Sequence, residues 1–150
     1  MVSSYFNQNK SVALQYCDLN KKYKSQSCSL LCGKLVWVQR VKPTSTSKEY
    51  ELTLKYDGRI PEVYLYNQGI MKKENEYIPH CYEGRYKTEG KEYVKLCLYY
   101  PKYKEWSKDL FLSETIIPWA IEWLKYYELW RITGKWLGGG IEHEKSNISK

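Results

Sequence analysis

One cysteine stands where its chemistry would be useful, at the end of an apolar run and directly before a turn. Cys97 follows Leu96, and Pro101 ends the extended stretch. A thiolate attacks an activated carboxyl or a thioester and becomes a thioester itself. A free cysteine has a pKa near ~8.5, so position and access matter more for this exchange than a strongly lowered pKa. The alternative is a buried structural thiol, which composition alone favours.

Further side chains with possible chemistry lie on either side of Cys97. His80 belongs to a loop that we expect to pack beside Cys97, where its imidazole could act as a general base or donate to an oxyanion. A loop histidine that caps backbone groups is an equally good interpretation, and backbone N–H groups near Cys97 could also serve the oxyanion. Cys81 stays open as the reactive thiol, ranked below Cys97. Lys102 and Lys104 could attract a carboxylate tail, although solvated lysines are the default.

The cysteines do not form a metal-binding pattern. Cys28 and Cys32 lack the usual zinc spacing, and His80 with Cys81 would complete four ligands only by coincidence of the fold. We therefore predict no metal and no other cofactor, and expect buried structural thiols. The odd cysteine count of five and the polar N-terminus, without a signal-peptide pattern, predict a cytoplasmic location. No apolar run is long enough to cross a membrane, so we expect no membrane partner.

The residues before Cys97 carry the pattern of a sheet that would position it. Residues 49–56 alternate, with Tyr50, Leu52, Leu54 and Tyr56 on one side. Short links between neighbouring strands favour an antiparallel meander, and residues 67–90 are rich in loop signals. We predict strands at 35–41, 49–56, 62–66 and 93–100.

The residues after Cys97 change to a helical period, over 113–132. Ser113 is the predicted N-cap, Pro118 is acceptable only in the first turn, and Gly134 is a plausible C-cap. We expect Trp136 to fold back onto the domain. The apolar stripe of this helix contains Ile116, Ala120, Trp123, Leu124, Tyr127 and Trp130. The chain is thus predicted to be α+β, with about four strands packed by a long C-terminal helix.

The net charge of +7 raises the question of an acidic partner. The lysines are scattered among the tyrosines, and no block of five or more like charges occurs. This distribution favours general solubility over a dedicated nucleic-acid surface.

The order of the elements and the residues around Cys97 resemble the ubiquitin-conjugating-enzyme (UBC) fold, over roughly residues 35–130. Leu96-Cys97-Leu98 matches the short cysteine signature of that family. Trp106-Ser107 follows at the family's distance, and Pro79-His80 lies upstream. The family's His-Pro-Asn asparagine, which can donate to the oxyanion, has no counterpart here. With the glycine-rich, polar C-terminal end and the irregular N-terminal pattern, we expect a partly helical lead-in over 1–34, a UBC-like domain over 35–137 and a flexible tail over 138–150.

The C-terminal helix is similar to that of bacterial UBC-like proteins of short type II CBASS (cyclic-oligonucleotide-based antiphage signalling) systems. The similar residues run from Thr115-Ile116-Ile117-Pro118-Trp119 to Gly138-Gly139. The resemblance implies that Cys97 is the nucleophile of a thioester-forming transferase. Such a protein handles the C-terminal tail of a cGAS-like nucleotidyltransferase and passes it to an acceptor protein. Trp106, Lys102 and Lys104 are the expected partner-binding residues, with Trp106 packing rather than doing chemistry.

Two other classes of function stay open. One is a catalytically inert UBC-like adaptor, in which Cys97 is buried. The other, ranked last because no RNP-type motif is present, is a single-stranded nucleic-acid binder. The nucleic-acid-binding alternative predicts that tyrosines and lysines converge on one solvent-facing surface.

Overall fold

The computed structural model describes residues 8–73 and 76–138. Within them lie two α-helices, one short 3-10 helix and one antiparallel sheet of six strands. The α+β class is confirmed, whereas the expected number of about four strands was too low. The helices are α1 (Val12–Lys22) and α2 (Ile116–Thr133), and the 3-10 helix is Pro101–Tyr103. The strands are β1 (Ser27–Leu31), β2 (Lys34–Val41), β3 (Tyr50–Tyr56), β4 (Glu62–Tyr66), β5 (Tyr86–Thr88) and β6 (Lys91–Lys95).

The strands are ordered β1-β2-β3-β4-β6-β5 across the sheet. Leu52 of β3 lies opposite Leu65 of β4, which in turn lies opposite Val94 of β6. The predicted meander is confirmed from β2 to β4. Strand β6 then returns beside β4, and its predicted length was wrong because regular pairing ends at Lys95 rather than at Tyr100.

The two strands that the prediction missed are both arms of hairpins with two-residue turns. β1 joins β2 through Cys32 and Gly33, and β5 joins β6 through Glu89 and Gly90. All four turn residues have positive φ, as the favoured hairpin turns need. Cysteine and glutamate are not the asparagine or aspartate that usually marks the first position of such a turn.

Both helices pack on the same face of the sheet and share one core with it. Tyr50, Leu52, Leu54 and Tyr56 are all buried, as the alternation predicted. Helix α2 buries most of its predicted stripe against them, and the ring of Tyr127 meets that of Tyr50 at 6.4 Å. No helix within the described residues is long and apolar enough to cross a membrane.

Helix α1 fixes the segment that leads into α2. The Ser11 hydroxyl caps α1 by accepting from the Leu14 backbone N–H. Gln15 is fully buried, donating to the Leu110 carbonyl at 2.8 Å and accepting from the Leu112 N–H at 3.0 Å. Because both the N–H and the oxygen of this buried side-chain amide are hydrogen-bonded, Gln15 stabilises the contact between α1 and the segment before α2.

Helix α2 begins at Ile116, so the prediction that Ser113 caps it was wrong. Thr115 occupies the N-cap, and the Ser113 hydroxyl instead donates to Asp18 of α1. Pro118 lies in the first turn, and Gly134 is the C-cap with φ of 74°, both as predicted. Of the predicted flexible tail, residues 139–150 lie outside the described residues.

Candidate active site

Cys97 lies just beyond β6, where the sheet meets the loop to α2. Leu96 forms a bridge with Cys81, and the Cys97 backbone N–H donates to the His80 carbonyl at 2.9 Å. The cysteine is 8% exposed and lines a cleft of about 340 Å³. The structure therefore brings Cys97 and His80 together, as the sequence predicted.

The cleft is walled mainly by aromatic rings from three parts of the chain. Its other lining residues are His80, Leu98, Tyr99, Tyr100, Glu105, Trp119, Glu122, Trp123, Tyr126 and Trp136. Trp136 folds back as predicted, with its ring 5.6 Å from that of Trp123 and 5.0 Å from that of His80. Such a site offers apolar contact with a few polar groups, the usual character of a pocket that binds an organic group.

His80 holds the cleft together through its backbone carbonyl. This oxygen accepts from the Cys97 N–H and from the Trp123 indole N–H, each at 2.9 Å. His80 has a positive φ of 52°, which is uncommon for a residue other than glycine. Because the Cys97 N–H is engaged here, it is not a ready oxyanion donor. The imidazole lines the cleft, and its role as base or donor stays a prediction.

Tyr82 is a functional candidate that the sequence analysis missed. Its hydroxyl donates a hydrogen bond to the Cys97 thiol. Its backbone N–H donates to the Lys95 carbonyl, and the Lys95 ammonium lies 4.8 Å from the centre of its ring. Pairing of residues 80–82 with residues 95–97 brings Tyr82 to this position, and no local pattern in 67–90 predicted that pairing.

The surroundings of Cys97 favour the neutral thiol. Burial raises the pKa of the Cys97 thiol above its usual value, and the charge of Glu105 acts in the same direction. The hydrogen bond from Tyr82 and the charge of Lys95 lower the pKa without overcoming burial. Burial also raises the pKa of the Tyr82 hydroxyl, which therefore stays a donor at neutral pH.

The other cysteines are less suited to the chemistry. Cys81 lines a separate cavity of about 330 Å³, and its thiol donates to the Lys95 carbonyl. Burial raises the pKa of Cys81 to about 12. Cys28 is half-buried, but Cys17 and Cys32 are exposed, so the expectation of buried thiols was wrong for Cys32. The described part of the chain has no group of three or more potential metal ligands.

The three predicted partner-binding residues lie in different surroundings. Trp106 is 8% exposed, and its indole N–H donates to the Thr115 hydroxyl at 3.0 Å. Its ring packs against Tyr56 at 5.6 Å, so Trp106 anchors the loop before α2. Lys102 and Lys104 are exposed on the loop that also carries Glu105, a lining residue of the cleft.

Comparison with known families gives a match over most of the chain. A family model described as E2-CBASS, Type II CBASS E2 protein, matches residues 15–144. These residues include helix α1 from Gln15 onward, all of helix α2, all six strands and every residue of the cleft. No curated protein matches the chain.

Proposed function

Since this chain belongs to the family of type II CBASS E2 proteins, we propose that it forms a thioester on Cys97 with the C-terminal tail of a partner nucleotidyltransferase. The family places the protein in CBASS antiphage defence. The E2 designation of the family supports a ubiquitin-conjugating-like transferase. In this proposal the tail is then passed from Cys97 to an acceptor protein.

The observation that carries the proposal is the position of the Cys97 thiol. It lines an aromatic cleft and accepts a hydrogen bond from Tyr82, in a chain of an E2 family. Cys81, the nearest alternative, faces a different cavity, and burial raises its pKa to about 12. A cysteine nucleophile needs both access to the acyl group and a neighbour that stabilises the thiolate.

The reaction is an exchange of one thioester for another. The Cys97 thiol loses its proton, and its sulfur attacks the carbonyl carbon of a tail that arrives as a thioester. The new C–S bond forms as the donor C–S bond breaks, and the departing donor thiolate takes up a proton. The Tyr82 hydroxyl first stabilises the thiolate, and the His80 imidazole is the candidate base or oxyanion donor.

The partner is proposed to dock at the rim of the cleft. Lys102 and Lys104 are exposed on the loop that carries the lining residue Glu105, and would pair with carboxylates of the nucleotidyltransferase. Trp106 contributes from the core, because it holds this loop against Thr115 and Tyr56. Truncating Trp106 should therefore loosen the rim rather than remove a contact surface.

The test is a gel assay of the protein with the nucleotidyltransferase encoded beside it, an activating enzyme being supplied where the pair alone does not react. We expect an adduct that reductant removes, that is absent in Cys97→Ala and that persists in the matched control Cys81→Ala. An adduct lost in Cys81→Ala but kept in Cys97→Ala would reassign the nucleophile.

A catalytically inert adaptor is the second candidate, and the low exposure of Cys97 favours it. At 8% exposure, Cys97 is more buried than an open nucleophile would be. An adaptor would bind the nucleotidyltransferase without forming an adduct under any condition. Co-purification of the two proteins, unchanged by Cys97→Ala and without a reductant-sensitive band, would establish this function instead.

A further inference from the structure

The outer face of the sheet, opposite both helices, carries a cluster of rings that the proposed thioester chemistry does not use. Side chains alternate along each strand, so residues between the buried ones share this face. Tyr64 and Tyr66 of β4, Tyr93 of β6 and Tyr86 of β5 lie here, each half-buried or exposed. We call these four residues the tyrosine face.

The four rings form a platform of two contacting pairs across three strands. Tyr66 lies opposite Tyr93, which lies opposite Tyr86 on its other side. The ring of Tyr66 is 5.7 Å from that of Tyr93, and the ring of Tyr64 is 5.4 Å from that of Tyr86. Neither α1 nor α2 covers this face, because both contribute their buried residues to the core on the other side.

Cations are interleaved with these rings. The Lys55 ammonium lies 5.2 Å from the centre of the Tyr64 ring, and the Lys91 ammonium lies 5.3 Å from that of Tyr66. Glu62 already accepts from Lys95 and from the Tyr64 hydroxyl. By alternation, the outward charged residues of β2, β3, β4 and β6 are five cations and two carboxylates: Lys34, Arg40, Lys55, Lys91 and Lys95 against Glu51 and Glu62. The face is therefore basic as well as aromatic.

A groove continues the tyrosine face at one end of the sheet. It has a volume of about 470 Å³. Its lining residues include the cations Arg40, Lys48 and Lys91, the aromatic residue Tyr66 and the carboxylates Glu49 and Glu51. Tyr66 belongs both to the groove and to the platform, and Lys91 lines the groove while lying against the Tyr66 ring. A ligand strand bound across the rings would therefore contact further cations where it continues into the groove.

We propose that the tyrosine face binds single-stranded nucleic acid, with bases against the rings and phosphates against Lys55, Lys91 and Arg40. Rings that lie beside cations suit a strand of bases and phosphates, whereas an acidic peptide offers no repeated flat surface. Tyr64 and Tyr66 are two residues apart on β4, a distance of about 6.7 Å. This exceeds the spacing of about 3.4 Å along each strand of a duplex, so the platform fits an extended strand whose bases are unstacked.

The test is fluorescence anisotropy with labelled oligo-dT and oligo-rU of about 12 nucleotides, in low salt, with the full chain. We expect binding to both probes, with the logarithm of the association constant falling by about 2 for a tenfold rise in salt, because three cations each release counterions. Lys91→Glu should weaken binding about tenfold or more and reduce that slope. Lys125→Glu, an exposed reversal on α2, is the matched control and should weaken binding about twofold at most.

The rings are tested by a pair of changes at one position. Tyr66→Phe keeps the ring and should retain binding, whereas Tyr66→Ala should lose about fivefold or more. Tyr86→Ala, at the exposed edge strand, repeats the test where the fold depends less on the side chain. Binding by Cys97→Ala should equal that of the unchanged chain, and Lys91→Glu should still form the Cys97 adduct. The two proposals can therefore fail separately.

Three outcomes would overturn this inference. The first is no binding of either probe at low salt. The second is equal weakening by Lys91→Glu and Lys125→Glu, which would show general attraction to the net charge. The third is competition by poly-glutamate as effective as that by unlabelled oligo-dT, which would identify an acidic protein as the occupant.

Discussion

At the residue scale, two opposing effects set the pKa of Cys97. Burial favours the neutral thiol, and the hydrogen bond from Tyr82 favours the thiolate. Thioester exchange has little thermodynamic bias, so a modest thiolate fraction is enough if the acyl group is well placed. The same burial would limit side reactions of the thiol with small molecules. The balance can be shifted by removing a single oxygen atom.

Tyr82→Phe should make Cys97 less reactive. The ring stays in place beneath Lys95, but the hydrogen bond to the thiolate is lost, so the pKa of Cys97 should rise above its already raised value. We expect alkylation of Cys97 by iodoacetamide near pH 8 to slow by about two- to tenfold, as the loss of one hydrogen bond implies. The pH–rate profile should move to higher pH. Exposed Cys17, followed by mass spectrometry in the same sample, is an internal control; an unmoved Cys97 profile would contradict the role of Tyr82.

His80→Asn separates the backbone role of His80 from the role of its imidazole. Asparagine tolerates positive φ and keeps the carbonyl that binds Cys97 and Trp123. If the imidazole is the base or oxyanion donor, adduct formation should fall by about a hundredfold or more while the unfolding free energy changes little. His80→Ala adds backbone strain and serves as the comparison. An Asn variant that reacts at the original rate would leave only the carbonyl with a role.

Cys97 and His80 could be predicted from the sequence because their types and their family resemblance are local features. Tyr82 could not, because its contact with Cys97 depends on pairing between the 80–82 segment and the end of β6. The chain contains 16 tyrosines, so residue type alone did not single it out.

At the scale of elements, β2, β3 and β4 could be predicted, and alternation predicted β3 because this strand buries one face against the helices. Short hairpin arms carry too few residues for a period, and their turns, Cys32-Gly33 and Glu89-Gly90, lack the usual first residue. Helix α2 was predicted from its stripe, but its start was not. Ser113 looked like a cap in sequence and is instead buried by its contact with Asp18.

Gly134→Ala should destabilise the end of α2. Gly134 has φ of 74°, and no atom lies within 4 Å of an added Cβ, so the cost is that of the left-handed backbone alone. We expect a loss of about 1–2 kcal/mol in the free energy of unfolding, measured by urea titration. Lys135→Ala, at the next exposed position, should change it by less than about 0.5 kcal/mol. Equal stability of the Gly134 variant and the unchanged chain would mean that α2 ends differently in solution.

At the scale of the whole molecule, the cleft exists only because distant segments meet. Its walls come from the loop before β5, the loop after β6, α2 and Trp136. The basic tyrosine face is likewise invisible along the chain, where lysines look scattered. Composition and charge could be measured from the sequence, but neither predicts which side chains share a surface.

An ion pair helps to attach the long loop between β4 and β5 to α2. The Arg131 guanidinium donates to both Glu76 carboxylate oxygens, at 2.5 and 2.9 Å, and also to the Ile70 carbonyl. The two side chains are only 17% and 20% exposed. The hydrogen bonds from Arg131 lower the pKa of Glu76 from 4.5 to about 2. The pair thus connects the loop carrying His80 to the helix that walls the cleft.

Stability should therefore depend on the ionisation of Glu76. A lowered carboxyl pKa in the folded state contributes stability that is complete above the unfolded pKa of about 4.5 and is lost as the pH falls towards about 2. Glu76→Gln should lower the free energy of unfolding near pH 7 by up to about 3 kcal/mol and flatten its pH dependence between those values. Glu114→Gln is the matched control, because that carboxylate is 63% exposed beside Lys22 and its loss should cost under about 1 kcal/mol.

The measurement is a series of urea titrations of the unchanged chain, Glu76→Gln and Glu114→Gln across this pH range. The free energies of unfolding of the three proteins should converge at the acidic end. A constant gap between Glu76→Gln and the unchanged chain would instead show that the amide disrupts packing, and that the charge of Glu76 does not hold the loop to α2.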